Sequence, residues 1–272
     1  MLNVACIQPE IFQNKHKCYL EIEDLLKKLL EDNNNCEIVC LPERWIPYTR
    51  EKAQNLQKER GQDYHFIQKL AGEYGINFIS GAIWEKRSSY KKPFITSYFF
   101  NKNGEEIGRQ DKIHLYSYER KYFESSFTLN IFKLKKFNFA ILICFDMAFF
   151  ETPRLASENK AEILFSPTQI RDSGLFNWDI YLKARALENR IPIVAANTYG
   201  DFINRKFSGK SKIISFQPEH YSPSLLKVIE APYSSNGYIY DEIDVQFANK
   251  LRRQRLNEKV EKSEIKINIF SQ

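Results

Sequence analysis

A mixed α/β or α+β fold, in which sheet packs against helices, is predicted by three features of this sequence. Short apolar runs typical of buried strands alternate with segments whose apolar residues recur at helical spacing. An Asn-Gly pair joins two strand-like runs, and the last third of the chain is rich in strand-like segments. No linker rich in Gly, Ser or Pro divides the chain. We therefore predict a single domain over residues 1–250 and a solvated or subunit-contacting tail over residues 251–272.

The hydrophobic pattern sets the order of the predicted elements. Several boundaries are marked by residues that end regular structure, such as Asn33 after the first helix, Pro42 after the second strand and Gly75 after the second helix. The predicted elements are, in order, a strand over 2–7, a helix over 19–30, a strand over 37–41, a helix over 63–74, strands over 76–84, 94–100, 106–112 and 137–143, a helix over 152–158, a strand over 163–165, a helix over 178–190, a strand over 193–196 and a basic helix over 245–255.

The strands over 94–100 and 106–112 are predicted to form a hairpin through Asn103 and Gly104. Asn-Gly is the preferred pair of a two-residue type I′ turn, because both residues accept a positive φ.

Composition and charge argue against several classes of function. The 40 Lys and Arg and 34 Asp and Glu leave a net charge of +6, spread along the chain, which does not require a nucleic-acid partner. The longest apolar run, around residues 139–145, is too short for a membrane span, and no signal peptide is visible. Five scattered cysteines do not make a disulfide scaffold. We expect a cytoplasmic protein with neither a membrane nor a nucleic-acid partner.

No metal or other cofactor is predicted. Cys36 and Cys40 are spaced C-x3-C, but no second pair or nearby histidine completes a zinc site. The four histidines are not paired at ligand spacing.

Cys144, Glu43 and Lys112 are the candidates for chemistry, because each lies at or just past the end of a predicted strand. A thiol at a strand-to-helix corner lies near backbone N–H groups that bind an oxyanion. The alternatives are ordinary ones: Cys144 as a buried core residue, and Glu43 and Lys112 as exposed loop side chains.

The three candidates lie in three segments: Leu41-Pro42-Glu43, the Asp111-Lys112-Ile113-His114-Leu115 segment, and the segment from Ile143 through Cys144 to Glu151. Together these segments resemble the carbon–nitrogen hydrolase (nitrilase) superfamily. They follow the family's Glu, Lys, Cys order, and residues 184–189 and 209–214 extend the likeness over nearly the whole chain. The sequence departs from the family pattern at several neighbouring positions, namely Asp111 in place of Arg, Phe145 in place of Tyr, Phe150 in place of Pro, and residues 122–126 without the usual Pro and Gly.

The resemblance implies a four-layer α-β-β-α sandwich and a catalytic triad. In this interpretation Cys144 is the nucleophile and Glu43 the general base, while Lys112 and the backbone N–H of Phe145 hold the oxyanion. Glu119 matches a second glutamate that holds the substrate amide or the lysine, although an exposed glutamate beside Arg120 is an alternative.

The implied activity is hydrolysis of a small carboxamide or carbamoyl compound through a cysteine thioester, with release of ammonia and without a cofactor. A true nitrilase, or a catalytically silent binding member of the same fold, are the alternatives within the family. Nucleic-acid binding through the basic segment 250–255 is a third, weakened by the glutamates that follow it. Family members usually pair, so we expect a homodimer or a larger homo-oligomer.

Overall fold

In the computed structural model, which describes residues 1–47 and 56–270, two β-sheets lie face to face between layers of helices. The strands are β1 Leu2–Gln8, β2 Ile38–Cys40, β3 Gln57–Lys58, β4 Asn77–Ile79, β5 Ile83–Lys86, β6 Phe94–Phe100, β7 Glu106–Asp111, β8 Ile131–Leu134, β9 Phe137–Ile141, β10 Ile163–Pro167, β11 Ile193–Ala196, β12 Tyr199–Phe202, β13 Arg205–Ser208, β14 Lys212–Phe216, β15 Leu226–Glu230 and β16 Gly237–Ile243. The α-helices are α1 Lys15–Asp32, α2 Gln62–Glu73, α3 Glu119–Tyr122, α4 Glu151–Glu158, α5 Leu175–Asn189 and α6 Val245–Asn257. Among the described residues, short 3₁₀ turns cover Cys144–Ala148, Asp172–Gly174 and Lys262–Glu264.

The first sheet has eight strands in the order β16-β1-β2-β4-β6-β5-β3, with β7 paired to β6. The second has six, in the order β15-β14-β11-β10-β9-β8, and β12 and β13 form a separate hairpin. In each sheet the central strands are parallel, β1 with β2 and β4, and β9 with β10 and β11. Parallel central strands place their carboxyl ends at one edge, where ligands usually bind.

Successive side chains of each central strand point to opposite faces of its sheet, so that each sheet packs against a different layer on each face. Leu2, Val4 and Cys6 of β1 face the second sheet, whereas Ala5 and Ile7 pack under the helices α1 and α2. In the same way β10 alternates between the core shared by the two sheets and a third core beneath α4 and α5. The layers are therefore helix, sheet, sheet and helix, and the predicted mixed fold and four-layer sandwich are confirmed.

The strand predicted over 76–84 is wrong as a single element, because it is divided into β4 and β5. Gly81 lies between them with φ +71°, and a Cβ built there would lie 2.2 Å from the Pro42 carbonyl oxygen. This close approach belongs to tertiary packing and leaves no trace in the local hydrophobic pattern.

The predicted hairpin is present, but its turn is wider than the two-residue type. β6 and β7 are joined through residues 101–105, and of the Asn-Gly pair only Gly104 has a positive φ, +76°. The Asn101 side chain accepts hydrogen bonds from the backbone N–H groups of Asn103 at 2.9 Å and Glu105 at 3.0 Å. A side chain that satisfies the loop in this way favours the longer connection.

The domain boundary predicted at residue 250 falls inside α6. Leu251 and Arg252 of this helix are buried, and the Arg252 guanidinium donates to the carbonyl oxygens of Ala161 at 2.8 Å and Asn189 at 3.1 Å. Of the predicted tail, residues 271–272 lie outside the described residues. Within residues 1–47 and 56–270, the helices lack the combination of length and apolar character needed to cross a bilayer.

Candidate active site

Cys144 stands at a corner between the second sheet and α4. It follows β9 and opens a 3₁₀ turn, and its φ of +49° is unusual for a residue with a side chain. Such strained positions cluster at functional sites. The four other free cysteines (Cys6, Cys18, Cys36, Cys40) are buried, whereas Cys144 is partly exposed.

Asp146 fixes this corner. Its fully buried carboxylate accepts hydrogen bonds from the Ile143 N–H at 2.9 Å and the His114 N–H at 2.7 Å. The Thr152 hydroxyl donates a hydrogen bond to the backbone carbonyl oxygen of Asp146 at 2.8 Å. The carboxylate thus joins the Cys144 turn to the loop that carries Lys112. Sequence reasoning gave Asp146 no role, although a carboxylate two positions after a candidate nucleophile was a visible signal.

Lys112, Glu43 and Glu119 form one buried ionic cluster. The Lys112 ammonium donates to Glu43 Oε1 at 2.7 Å and lies 2.8 Å from Glu119 Oε2. The exposed fractions are 1% for Lys112 and 6% for each glutamate. Since Glu119 is buried against the lysine, the structure excludes the alternative of an exposed glutamate beside Arg120.

Backbone hydrogen bonds hold these three residues in place. Glu43 donates its N–H to the Thr168 carbonyl at 3.0 Å, so its loop is attached to the second sheet. Lys112 directly follows β7 and donates its N–H to the Ile95 carbonyl at 2.9 Å. The Glu119 carboxylate accepts from the Tyr116 N–H at 2.8 Å. The backbones of Glu43 and Lys112 and the carboxylate of Glu119 are therefore attached to neighbouring strands and loops.

Burial and charge set the protonation states. Burial alone would lower the pKa of Lys112, but Glu43, Glu119 and Cys144 together raise it well above its usual value. Burial raises the pKa of Glu119, against the lowering effect of Lys112. Burial and the Glu43 carboxylate, which is hydrogen-bonded to the thiol, raise the pKa of Cys144, while Lys112 lowers it. The resting site thus holds a thiol beside a carboxylate and an ammonium.

All four side chains line one cavity of about 320 Å³. Several aromatic residues contribute to its walls, with Tyr116, Phe145, Trp178 and Tyr181 among them. The Phe145 ring packs edge-on against Tyr116 at 5.1 Å between centroids. As the second residue of the 3₁₀ turn, Phe145 also presents a backbone N–H of the first turn, which lacks an intrahelical partner.

Sequence reasoning missed several cavity residues that lie far from the three motifs. The segment after β10, the start of α5 and the strand β13 bring further side chains to the cavity, namely Gln169, Arg171, Asn177, Trp178, Arg205 and Phe207. No signal in the local sequence marked them, because tertiary packing alone joins their segments to Cys144.

Within the described part of the chain, no group of three or more His, Cys, Asp or Glu side chains is arranged to hold a metal ion. Cys36 and Cys40 are core residues, and burial raises the pKa of the Cys36 thiol to about 12.

Known proteins resemble this chain in sequence and in fold. A family model described as carbon-nitrogen hydrolase matches residues 3–253. A Staphylococcus aureus protein named hydrolase in agr operon is 30% identical over 216 residues, which cover 76% of this chain and 80% of that protein. The 2-oxoglutaramate amidase of Bacillus subtilis is 24% identical over 253 residues, covering 92% of this chain and 93% of the amidase. A solved carbon-nitrogen hydrolase from Helicobacter pylori has the same fold, with a TM-score of 0.83 at 20% identity over 95% of this chain and 94% of that chain.

Proposed function

The chain belongs to the carbon–nitrogen hydrolase family, and from this premise we propose that it hydrolyses a small carboxamide or carbamoyl compound through a thioester on Cys144, releasing ammonia. One observation carries the proposal: a strained, partly exposed cysteine shares a cavity with a buried lysine held between two glutamates. That arrangement supplies a nucleophile, a base and a cation within one cavity.

In the first half of the reaction, Glu43 takes the thiol proton while the Cys144 sulfur attacks the amide carbon. The carbonyl oxygen becomes an oxyanion that accepts hydrogen bonds from the Lys112 ammonium and the Phe145 N–H. The loss of one such donor typically lowers the rate by roughly 10²–10³-fold. Glu43 then gives its proton to the departing nitrogen, the C–N bond breaks, and a thioester and ammonia result.

In the second half, water attacks the thioester. Glu43 takes a proton from that water, the same oxyanion donors act again, and the C–S bond breaks. Cys144 leaves as a thiolate that recovers the proton from Glu43, and the carboxylic acid product is released. Atoms and protons balance as amide and water giving acid and ammonia.

Glu119 acts as a positioning residue in this scheme. It holds the Lys112 ammonium at 2.8 Å and is itself held by the Tyr116 N–H. Because both glutamates bind the same ammonium, Lys112 has little rotational freedom and keeps its charge in the buried site.

An amidase is favoured over a nitrilase on chemical grounds. A planar amide forms a tetrahedral oxyanion and needs a proton at its departing nitrogen, and Glu43 beside Lys112 serves both needs. A linear nitrile first forms a thioimidate and would be poorly oriented in a site shaped for planar amides. The similarity to an amidase over nearly the full chain supports amide hydrolysis as an activity.

Ammonia release from amide and nitrile pairs with the same acyl group tests the proposal. We expect the amide to have the higher kcat/KM in each pair, and Cys144→Ala and Glu43→Gln each to lower kcat by at least about 10³-fold with the fold intact. Cys36→Ala is the matched control, since that thiol is buried away from the cavity. Near-normal turnover by Cys144→Ala would refute the mechanism, and a nitrile preference across several acyl groups would refute the choice of amides.

A further inference from the structure

A row of aromatic rings, formed by Tyr116, Phe145, Phe149 and His114, begins at the wall of the cavity. The Phe145 ring packs edge-on against both Tyr116 and Phe149, with its centroid 5.1 Å from each. Phe149 in turn stacks on the His114 imidazole, with centroids 4.2 Å apart and planes 19° from parallel. Edge-on and stacked pairs at such distances are favourable contacts. Two neighbouring rings of this aromatic row therefore hold the Phe145 side chain.

The aromatic row ends at the carboxylate that fixes the Cys144 corner. His114 Nδ1 lies 3.1 Å from Asp146 Oδ1, and the His114 backbone N–H donates to the same oxygen at 2.7 Å. An ionised carboxylate only accepts, so Nδ1 carries the proton in this hydrogen bond. The other carboxylate oxygen of Asp146 accepts from the Ile143 N–H at 2.9 Å. The His114 end of the row is thus connected to the backbone that leads into Cys144.

The opposite end of the aromatic row is connected to Lys112. The Tyr116 backbone N–H donates to Glu119 Oε2 at 2.8 Å, and the same oxygen lies 2.8 Å from the Lys112 ammonium. Lys112 and the Phe145 N–H are the two oxyanion donors of the proposed reaction. One chain of contacts, through Glu119 and Tyr116, therefore connects the two donors.

The turn that carries Phe145 depends on such outside contacts. It covers only Cys144–Ala148 and is a 3₁₀ segment, in which hydrogen-bond geometry is poorer than in an α-helix. Its first residue, Cys144, lies in the left-handed region with φ +49°. A residue in such a conformation keeps it only where the surrounding structure imposes it. We therefore expect the direction of the Phe145 N–H to depend on where the Phe145 ring is held.

Phe149 and His114 belong to the aromatic row but not to the cavity wall. Among the described residues, Tyr116 and Phe145 line the cavity, whereas Phe149 and His114 do not. A substrate bound beside Cys144 would therefore not touch these two side chains. Any effect that they have on turnover must pass through the residues that they hold.

We propose that Phe149 and His114 are positioning residues, which hold the Phe145 ring and the Asp146 carboxylate and so orient the Phe145 N–H toward the oxyanion. This inference rests on the proposed amide hydrolysis and adds how its second oxyanion donor is held. A donor stabilises the transition state only when it lies about 2.7–3.1 Å from the place that the oxyanion takes. Misplacement by about 1 Å costs roughly 10²-fold in rate. The aromatic row thus affects the transition state more than the binding of the amide.

Phe149→Leu tests the proposal, because it keeps an apolar side chain and removes the ring that contacts Phe145 and His114. On the best substrate of a panel of straight-chain amides, we expect kcat to fall by roughly 10- to 10²-fold with KM unchanged, since a donor is misplaced and not removed. Phe149→Tyr keeps the ring and should turn over like the wild-type protein. His114→Phe keeps a stacked ring and removes the Nδ1 hydrogen bond, so kcat should fall by about 3- to 10-fold.

Two reactions of Cys144 distinguish a misplaced donor from a generally loosened site. The aldehyde with the same acyl group accepts the Cys144 sulfur at its carbonyl carbon, and its oxygen then needs the same two donors. Iodoacetamide alkylates the sulfur with loss of iodide and forms no oxyanion. Phe149→Leu should weaken aldehyde inhibition about as much as it lowers kcat and should leave the rate of alkylation unchanged. Phe150→Leu is the matched control, since that neighbouring ring is 56% exposed and lies outside the aromatic row.

Several outcomes would overturn the positioning role while leaving amide hydrolysis standing. They are an unchanged kcat in Phe149→Leu, equal losses in Phe149→Leu and Phe150→Leu, and a rate of alkylation that falls together with kcat. His114→Phe allows the same comparison where Phe149→Leu does not fold.

Aldehyde binding separates this inference from the proposed function. If the wild-type protein turns over no amide, the proposed function fails. Aldehyde binding that weakens in Phe149→Leu but not in Phe150→Leu would still support the positioning role. Equal binding in both variants, or binding by the wild-type protein no tighter than by Cys144→Ala, would overturn it.

Discussion

Replacement of Lys112 by methionine tests the buried ionic cluster most severely. Methionine keeps most of the apolar stem and removes the ammonium that lies 2.7 Å from Glu43 and 2.8 Å from Glu119. Two carboxylates, each 6% exposed, are then left together without a cation. We expect turnover of any amide to fall by at least about 10²-fold, because an oxyanion donor is lost.

The stability cost follows from burial. Removing one partner of a buried ion pair costs about 3–5 kcal/mol, because the remaining charge is neither solvated nor paired. Where the carboxylates become protonated, only the hydrogen bonds are lost, and the cost falls to about 1–2 kcal/mol. The free energy of unfolding should therefore depend on pH far more strongly in the variant than in the wild-type protein.

The sign of this dependence comes from Glu119. Burial raises its pKa, and Lys112 opposes that rise, so the pKa rises further when the ammonium is removed. A carboxyl group whose pKa is higher in the folded state stabilises the fold at pH values below its unfolded pKa, and this stabilisation is lost as the pH rises through the folded pKa. The raised pKa of Lys112 also contributes to the free energy of unfolding of the wild-type protein. That contribution is constant between pH 5 and pH 8, because this range lies below the usual lysine pKa of 10.5. The variant should thus be closest to the wild-type protein near pH 5 and furthest from it near pH 8.

Urea unfolding at pH 5, 6, 7 and 8 measures the effect. The difference between wild type and Lys112→Met should grow from about 1–2 to about 3–5 kcal/mol over that range. Adding Glu119→Gln to Lys112→Met should recover about 2 kcal/mol at pH 8 without restoring activity, since one buried charge is removed. Lys133→Met, at an exposed lysine, is the control. A pH-independent difference, or a double variant less stable than the single one, would refute this reasoning.

Two further substitutions test how the site is positioned. Asp146→Asn should lower kcat at least about tenfold and the free energy of unfolding by about 1–3 kcal/mol, because one of the Ile143 and His114 N–H groups loses its acceptor. Steady-state kinetics measure the first effect and urea unfolding the second. Gly81→Ala should lower kcat and stability together, since its Cβ would lie 2.2 Å from the Pro42 oxygen beside Glu43. Gly75→Ala is the matched comparison, because it has a similar φ of +61° with nothing within 4 Å, so only stability should fall; equal kcat losses in the two glycine variants would contradict this interpretation.

The helices and strands of the fold could be predicted from the sequence because each depends on local periodicity, whereas the four-layer order was implied by the family resemblance. The apolar run of β1 and the helical spacing of α1 are visible without knowledge of the partner surfaces. The interruption at Gly81 could not be predicted in this way, since it arises from contact with Pro42 and Trp45. Long-range contact, and not local preference, decides where that strand ends.

In the candidate site too, features that depend on long-range contacts could not be predicted from local sequence. Proximity of Glu43, Lys112 and Cys144 was implied by family resemblance, because the spacing alone gives no distances in space. For Glu119, which the resemblance placed at the site, the neighbouring Arg120 and Lys121 left an exposed residue as the alternative; its ion pair with Lys112 buries it. Arg171 and Arg205 were missed because the sequence does not indicate that their segments meet at Asn197.

The packing of the two sheets sets the geometry of the proposed reaction. Glu43 and Lys112 extend from the eight-stranded sheet, whereas Cys144 follows a strand of the six-stranded sheet and packs against the core between them. That core includes Phe99 and Phe139, one from each sheet, with ring centroids 4.9 Å apart. Since packed interiors resist compression, such aromatic contacts hold the spacing of the two sheets that carry the thiol and the base. The hydrogen bonds from the Ile143 and His114 N–H groups to the Asp146 carboxylate then orient the Cys144 turn relative to the loop that follows Lys112.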